Sequence, residues 1–155
     1  MQTSLRPETD EDEPFLHQLI VSSLAGELAA WAFPEAIRAP LLETQYRARV
    51  EGIRAAYPHA ERGILLVDGQ PAGRVVIDRS AEEIYLVDIV VLPTLRNRGV
   101  GSAVLRQLIE ESEKTRRPLS LNVDAVNPAQ RLYQRLGFLR VGGDEVQLRM
   151  SRPVT

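Results

Sequence analysis

The apolar positions of this chain follow two rhythms, one near 3.6 residues and one of two or fewer, and the changes of rhythm mark its elements. TSLRP, residues 3–7, reads as a short strand. Phe15, Leu16, Leu19 and Ile20 then share one helical face, and Thr9 with Asp12 three residues on supplies the start signal of that helix. Trp31, Phe33 and Pro34 interrupt the pattern. After Pro40 the spacing Leu42, Tyr46, Val50, Ile53 and Tyr57 predicts a second helix.

From residue 63 the rhythm shortens. GILLVDGQPAGRVVIDR holds two β-rich runs around Asp68-Gly69, which predicts antiparallel strands over about 63–67 and 72–79. EEIYLVDIVVL is almost wholly apolar without alternation, the pattern of a central strand covered on both faces. Val100, Val104, Leu105, Leu108 and Ile109 restore the helical period, PLSLNVDAV returns to strand, NPAQRLYQRLGF is a helix closed by Gly137, and FLRVGGDEVQLRM reads as a strand pair around Gly142 and Gly143. The order β-α-α-β-β-β-α-β-α-β-β defines a mixed α/β fold, a central and mostly antiparallel sheet with helices on both sides. At 155 residues it fits one domain, 1–155.

Composition narrows the partners. A net charge of −2 predicts neither nucleic-acid binding nor a polybasic membrane contact. The absence of cysteine excludes disulfides, thiol catalysis and Cys-ligated zinc, and with no apolar run of membrane-spanning length the expected location is the cytoplasm. His17 falls on the polar side of the first helix and His59 in a loop, so no metal site with histidine ligands is expected.

The chemistry collects at VVLPTLRNRGVGSAVLRQLIE, residues 90–110, a strand-to-helix junction with two glycines and two arginines. The first residues of a helix leave N–H groups unpaired at the positive end of its dipole, which suits an anion. Gly99 and Gly101 place no side chain over those amides, and Arg96 and Arg98 add forked donors matched to phosphate oxygens. A Walker A loop would need Gly-Lys-Ser/Thr, and RGVGSA lacks the third glycine of a dinucleotide fingerprint, so the anion is a phosphate or pyrophosphate of another kind. A loop whose glycines merely relieve tight packing, with solvated arginines, is the structural alternative.

RNRGVG after a buried strand, then a helix, a strand and NPAQRLYQRLGF, resembles the acetyl-coenzyme A binding core of the GNAT superfamily of N-acetyltransferases. The specific motifs span about residues 84–139. The resemblance implies the GNAT-like acyl-coenzyme A N-acyltransferase fold and puts Arg96, Asn97, Arg98, Gly99, Val100, Gly101 and Ser102 around the coenzyme A pyrophosphate. It further implies that Ile89, Val90 and Val91 offer backbone groups to the pantetheine arm, that Asn127 is a coenzyme contact, and that Tyr133 is the family's tyrosine. It leaves a homodimer open.

The implied reaction is direct attack of an amine on the thioester of acetyl-coenzyme A. Tyr133 is the candidate acid for the leaving thiolate, although Ala129, Leu132, Tyr133 and Leu136 share one apolar helix face and a core aromatic fits equally. Asp88 stands inside the apolar central strand, where a carboxylate must be paired, face a cavity or have a raised pKa, and it is the candidate base. Glu83 and Asp124 stand as further base candidates through water, and Asn122, an amide, cannot take a proton. Trp31, Phe33 and Tyr46 lie where the family's variable helices wall the acceptor pocket, or else in the core. The competing classes are a non-catalytic acyl-coenzyme A binding or sensing module and a structural α/β domain.

Overall fold

The structure is a computed structural model that describes residues 1–155, the side chain of Ala30 excepted. Strands β1 (Thr3–Pro7), β2 (Glu61–Val67), β3 (Gln70–Arg79), β4 (Ile84–Val91), β5 (Leu119–Asp124), β6 (Leu139–Gly143) and β7 (Gln147–Arg152) form one sheet of seven strands in the order β1-β2-β3-β4-β5-β7-β6. β1 with β2, β5 with β7 and β6 with β7 are antiparallel, and β4 with β5 is parallel. Helices α1 (Glu13–Leu28), α2 (Glu35–Ala56), α3 (Val100–Thr115) and α4 (Gln130–Arg135) complete the predicted order. α3 is the crossover that a parallel β4–β5 pair requires. Among the described residues no helix is long and apolar enough to cross a membrane.

The chain forms two compact units, residues 1–76 with 88–101 and residues 77–87 with 102–155. In the first, Ile20, Leu24 and Tyr46 are buried together, and Val21, Leu42 and Val50 pack against them, which joins α1 to α2. Thr9 lies in extended backbone and its N–H donates to Asp12 at 2.8 Å, so the start signal opens a short 3-10 turn over Asp10–Asp12 before α1 begins. Arg6 donates to both oxygens of Asp12, at 2.7 and 2.9 Å, and with the Thr9 bond this holds the carboxyl at about 2. Asp68 and Gly69 both have positive φ, 49° and 82°, as a two-residue hairpin turn between β2 and β3 demands.

In the second unit, Val104, Leu105 and Leu108 of α3 and Leu119, Leu121, Val123, Phe138 and Met150 are buried. β5 is buried at three successive residues, Leu119, Ser120 and Leu121, and these are the residues in register with Ile84, Tyr85 and Leu86 of β4. Farther on, Asn122 and Asp124 are exposed around a buried Val123. α4 ends on Gly137 at φ +97°, and the Phe138 N–H donates to the Tyr133 carbonyl at 3.0 Å, the 6→1 bond of a left-handed helix stop.

Three boundaries differ from expectation. α2 begins at Glu35, not after Pro40, because the Pro34 carbonyl accepts from Ile37 and Arg38 at 3.0 and 3.1 Å and starts the helix. Pro40 is then tolerated inside it near its N-terminal end. The C-terminal turn is made by Asp144, whose Oδ1 accepts from the N–H groups of Val146 and Gln147 at 2.8 Å each, while Gly142 and Gly143 remain in β6 beside a bulge. α4 spans only Gln130–Arg135, since its N-terminal end is spent on a turn around Asn127.

Gly73 fixes the approach of β3 to β4. A Cβ there would lie 2.3 Å from the Val90 carbonyl oxygen and 3.3 Å from the Val91 Cα, both backbone atoms that cannot swing aside. Gly73→Ala is therefore expected to lower stability by about 1–3 kcal/mol, read as a fall of several degrees in the melting temperature. A melting curve equal to the parent's would mean that β4 has room to shift.

Candidate functional site

β4 carries the first part of the site. Its ladder with β5 covers Ile84–Leu86, and the strand continues to Val91 beyond it, so on that edge the backbone groups of Ile89, Val90 and Val91 lie past the ladder. Val90 is buried, and Ile89 and Val91 are half-buried.

After Val91 the chain makes a 3-10 turn at Pro93–Leu95 and enters the glycine loop. Arg96 is extended, Asn97 takes φ +61° and Gly99 φ +80°, and α3 begins at Val100. Gly99 meets the left-handed requirement without strain. Val100 is buried, whereas Asn97, Arg98 and Gly99 are exposed, so the loop is anchored at one apolar side chain and presents its backbone outward. A Cβ built on Gly99 or on Gly101 meets nothing within 4 Å. Neither glycine is therefore there to relieve tight packing. Both arginines are exposed, but their partners differ: Arg96 Nε donates to the Val91 carbonyl at 3.4 Å and its Nη2 to the Ser23 hydroxyl at 3.0 Å, ties that Arg98 does not make.

Of the three fates open to Asp88, the structure has it paired. Its partner is Arg49 of α2, with Nη2–Oδ1 2.7 Å and Nε–Oδ2 3.3 Å, a fork that engages both carboxylate oxygens. The sequence reading misses Arg49 and Ser23; the signal that could have found them is a polar side chain on the apolar stripe of its helix. Each is the partner of a residue far along the chain.

The second unit holds the remaining candidates. Tyr133 is half-buried, its ring centroid 5.8 Å from that of Phe138 at 60°. Burial pushes its phenol up, so it keeps its proton at neutral pH. Asn127 is exposed, and its Oδ1 accepts from the Ala129 N–H at 2.9 Å, which leaves the side-chain NH2 for other partners. Glu83 is taken by Arg149, at 2.8 and 3.1 Å, and by the Ser120 hydroxyl at 2.9 Å, and Asp124 accepts from Gln147 at 3.0 Å. Both water-mediated base candidates thus have structural partners.

A cavity of about 430 Å³ opens in the first unit, lined among others by Glu8, Glu13, His17, Glu43, Tyr46 and Glu51. His17 pairs with Glu43 at 2.7 Å and sets its ring edge-on to Tyr46 at 4.8 Å. Of the three aromatic candidates Tyr46 lines this cavity, whereas Trp31 is exposed and stacks on Phe33 with centroids 6.5 Å apart. Its lining includes no residue of 96–102.

A mixed sheet whose β4 outruns its parallel ladder, followed by a glycine loop that opens a helix, is the arrangement that the resemblance implied. The comparisons agree. The model of the Acetyltransferase (GNAT) family matches residues 26–138, and the chain belongs to that family of N-acetyltransferase enzymes. No curated protein sequence matches it. Among solved structures, it is similar to the PaiA N-acetyltransferase of Thermoplasma acidophilum, solved in complex with coenzyme A, at 17% identity, TM-score 0.71 and 99% coverage of each chain. An acetyltransferase of Thermus thermophilus is similar at 23% identity and TM-score 0.70, over 99% of this chain and 98% of that one. The ribosomal-protein-S18-alanine N-acetyltransferase of Escherichia coli follows at 24% identity and TM-score 0.66, over 99% and 95%. These likenesses show the fold.

Proposed function

We propose that the chain binds acetyl-coenzyme A at the 96–102 loop and transfers the acetyl group to a primary amine by direct attack. The observation that carries this reading is Gly101. It occupies the first turn of α3 with open space where a side chain would go. Glycine costs a helix roughly 0.5–1 kcal/mol relative to alanine. The fold has no packing use for it, whereas a diphosphate lying on the first-turn amides does.

Each residue then has a task. The N–H groups of Val100, Gly101 and Ser102 face the diphosphate, Gly99 supplies the left-handed bend, and Asn97 and Arg98 bring exposed donors. Ile89, Val90 and Val91 offer backbone groups to the pantetheine arm, and Asn127 offers its side-chain NH2. Acetyl-coenzyme A supplies the activated acyl group as co-substrate.

An alkylamine with a pKa near 10.4 is neutral in only about one molecule in 10³ at pH 7, a deficit of about 4–5 kcal/mol. Asp88 is the proposed carboxylate on the acceptor side. To receive the proton it exchanges the Arg49 guanidinium for the incoming ammonium, one cation for another. Tyr133 is the proposed donor to the thiolate as the carbon–sulfur bond breaks; the second proton that the attacking nitrogen loses restores the phenol, and Asp88 returns its proton to solvent, so the products are an amide, coenzyme A thiol and one proton. The α1–α2 cavity is lined by five carboxylates, those of Glu8, Asp10, Glu13, Glu43 and Glu51, against the two arginines Arg47 and Arg54, a net negative lining that favours a cationic acceptor.

Thiol release with a panel of amines tests the transfer, and Arg98→Ala tests the coenzyme site. That change is expected to weaken coenzyme A about three- to tenfold while leaving pantetheine, which has no diphosphate, within twofold. Equal losses for both ligands in calorimetry would assign Arg98 to loop shape.

A further inference from the structure

We infer that Ser23 of α1 is a positioning residue for the diphosphate loop, acting through Arg96; this rests on the coenzyme reading above. Ser23 is 6% exposed and sits on the buried face of α1 with Leu16, Leu19, Ile20 and Leu24. An apolar residue would serve packing better at such a position. Its neighbour Ser22 returns its hydroxyl to the Gln18 carbonyl of its own helix. Ser23 instead accepts from Arg96, which lies 73 residues away along the chain, at 3.0 Å.

Arg96 is the last residue of the loop tied back to the fold before α3. The Leu95 N–H donates to Leu92 and the Arg96 N–H to Pro93, at 2.9 and 3.4 Å, and beyond them Asn97, Arg98 and Gly99 are exposed. The Arg96 guanidinium joins three elements at once: the loop that carries it, the end of β4 through the Val91 carbonyl, and α1 through Ser23. A guanidinium can hold both acceptors because its donors lie in one rigid fork. The consequence is that Arg96 is held by the protein and sets the path of the backbone, while Arg98 is left for the ligand. Freeing Arg96 from Ser23 lets the 97–99 segment relax in the unliganded chain, and the coenzyme must then restore its shape on binding.

The test is a calorimetric cycle on the full chain with coenzyme A and pantetheine. Ser23→Ala is expected to weaken coenzyme A about five- to tenfold and pantetheine less than twofold. Ser23→Thr, which keeps the hydroxyl, is expected to recover most of the loss, and the double variant Ser23→Ala with Arg96→Ala to bind no more weakly than Arg96→Ala alone. Arg96→Lys, made on an exposed residue, reads the same latch without touching the helix face and is expected to reproduce the loss. Additive losses in the double variant, or a Ser23→Ala chain within twofold of the parent, would overturn the latch. A parent chain that does not bind coenzyme A would overturn the coenzyme reading as well. A parent that binds beside an indifferent Ser23→Ala overturns the latch alone.

Discussion

Tyr133→Phe is expected to lower the single-turnover rate of acetyl transfer by at least about tenfold, and by as much as 10²–10⁴-fold if proton donation to sulfur dominates the barrier. The phenylalanine keeps the ring contact with Phe138 that closes α4, so the melting temperature and the affinity for acetyl-coenzyme A should stay near those of the parent. Only the hydroxyl is lost. Burial holds that hydroxyl protonated at neutral pH, the state an acid needs. A chemical step as fast as the parent's, with melting and binding unchanged, would reduce Tyr133 to its packing role and leave water as the acid. Turnover must be read in single-turnover mode, where product release cannot mask the step.

Gly101→Val should weaken acetyl-coenzyme A by more than tenfold, above about 1.4 kcal/mol. The substitution separates ligand from fold because a Cβ there meets no atom of another segment within 4 Å. At Gly99 the same change would be ambiguous, since φ +80° strains any residue with a Cβ. Helical circular dichroism and melting should therefore be unchanged in Gly101→Val while calorimetry shows the loss. Unchanged affinity would remove the first turn of α3 from the coenzyme site.

Much of the fold was legible because its signals are local. The Asp68-Gly69 turn, the unbroken apolar run of β4, the glycine loop before α3 and the Gly137 stop each depend on neighbours a few residues away, and backbone geometry allows few alternatives for such patterns. The order of all eleven helices and strands follows from them. The boundaries that moved did so where a local signal was ambiguous. Pro40 reads as a breaker, yet α2 starts at Glu35 and runs through it, and Gly142-Gly143 reads as a turn, yet Asp144 offers the better acceptor for the turn's amides.

The candidate site divides along the same line. The residues of the loop belong to one continuous segment, so their spacing along the chain was enough to group them. The roles of its charged side chains depended on partners supplied by folding. Arg96 and Arg98 stand two positions apart in one motif, and the arrival of Ser23 from α1, beside the Val91 carbonyl, gives the Arg96 guanidinium partners that Arg98 lacks. The rule that a buried carboxylate needs a partner left three outcomes for Asp88, and the choice among them came from Arg49, 39 residues away on α2. Gly73 lies within a strand, and its need for no side chain appears only where the Val90 carbonyl oxygen of β4 comes within 2.3 Å of its missing Cβ. A charge or a gap has no fixed meaning along a chain. Its energy depends on what lies within a few ångströms, and that distance is decided by the packing of segments remote from one another in sequence.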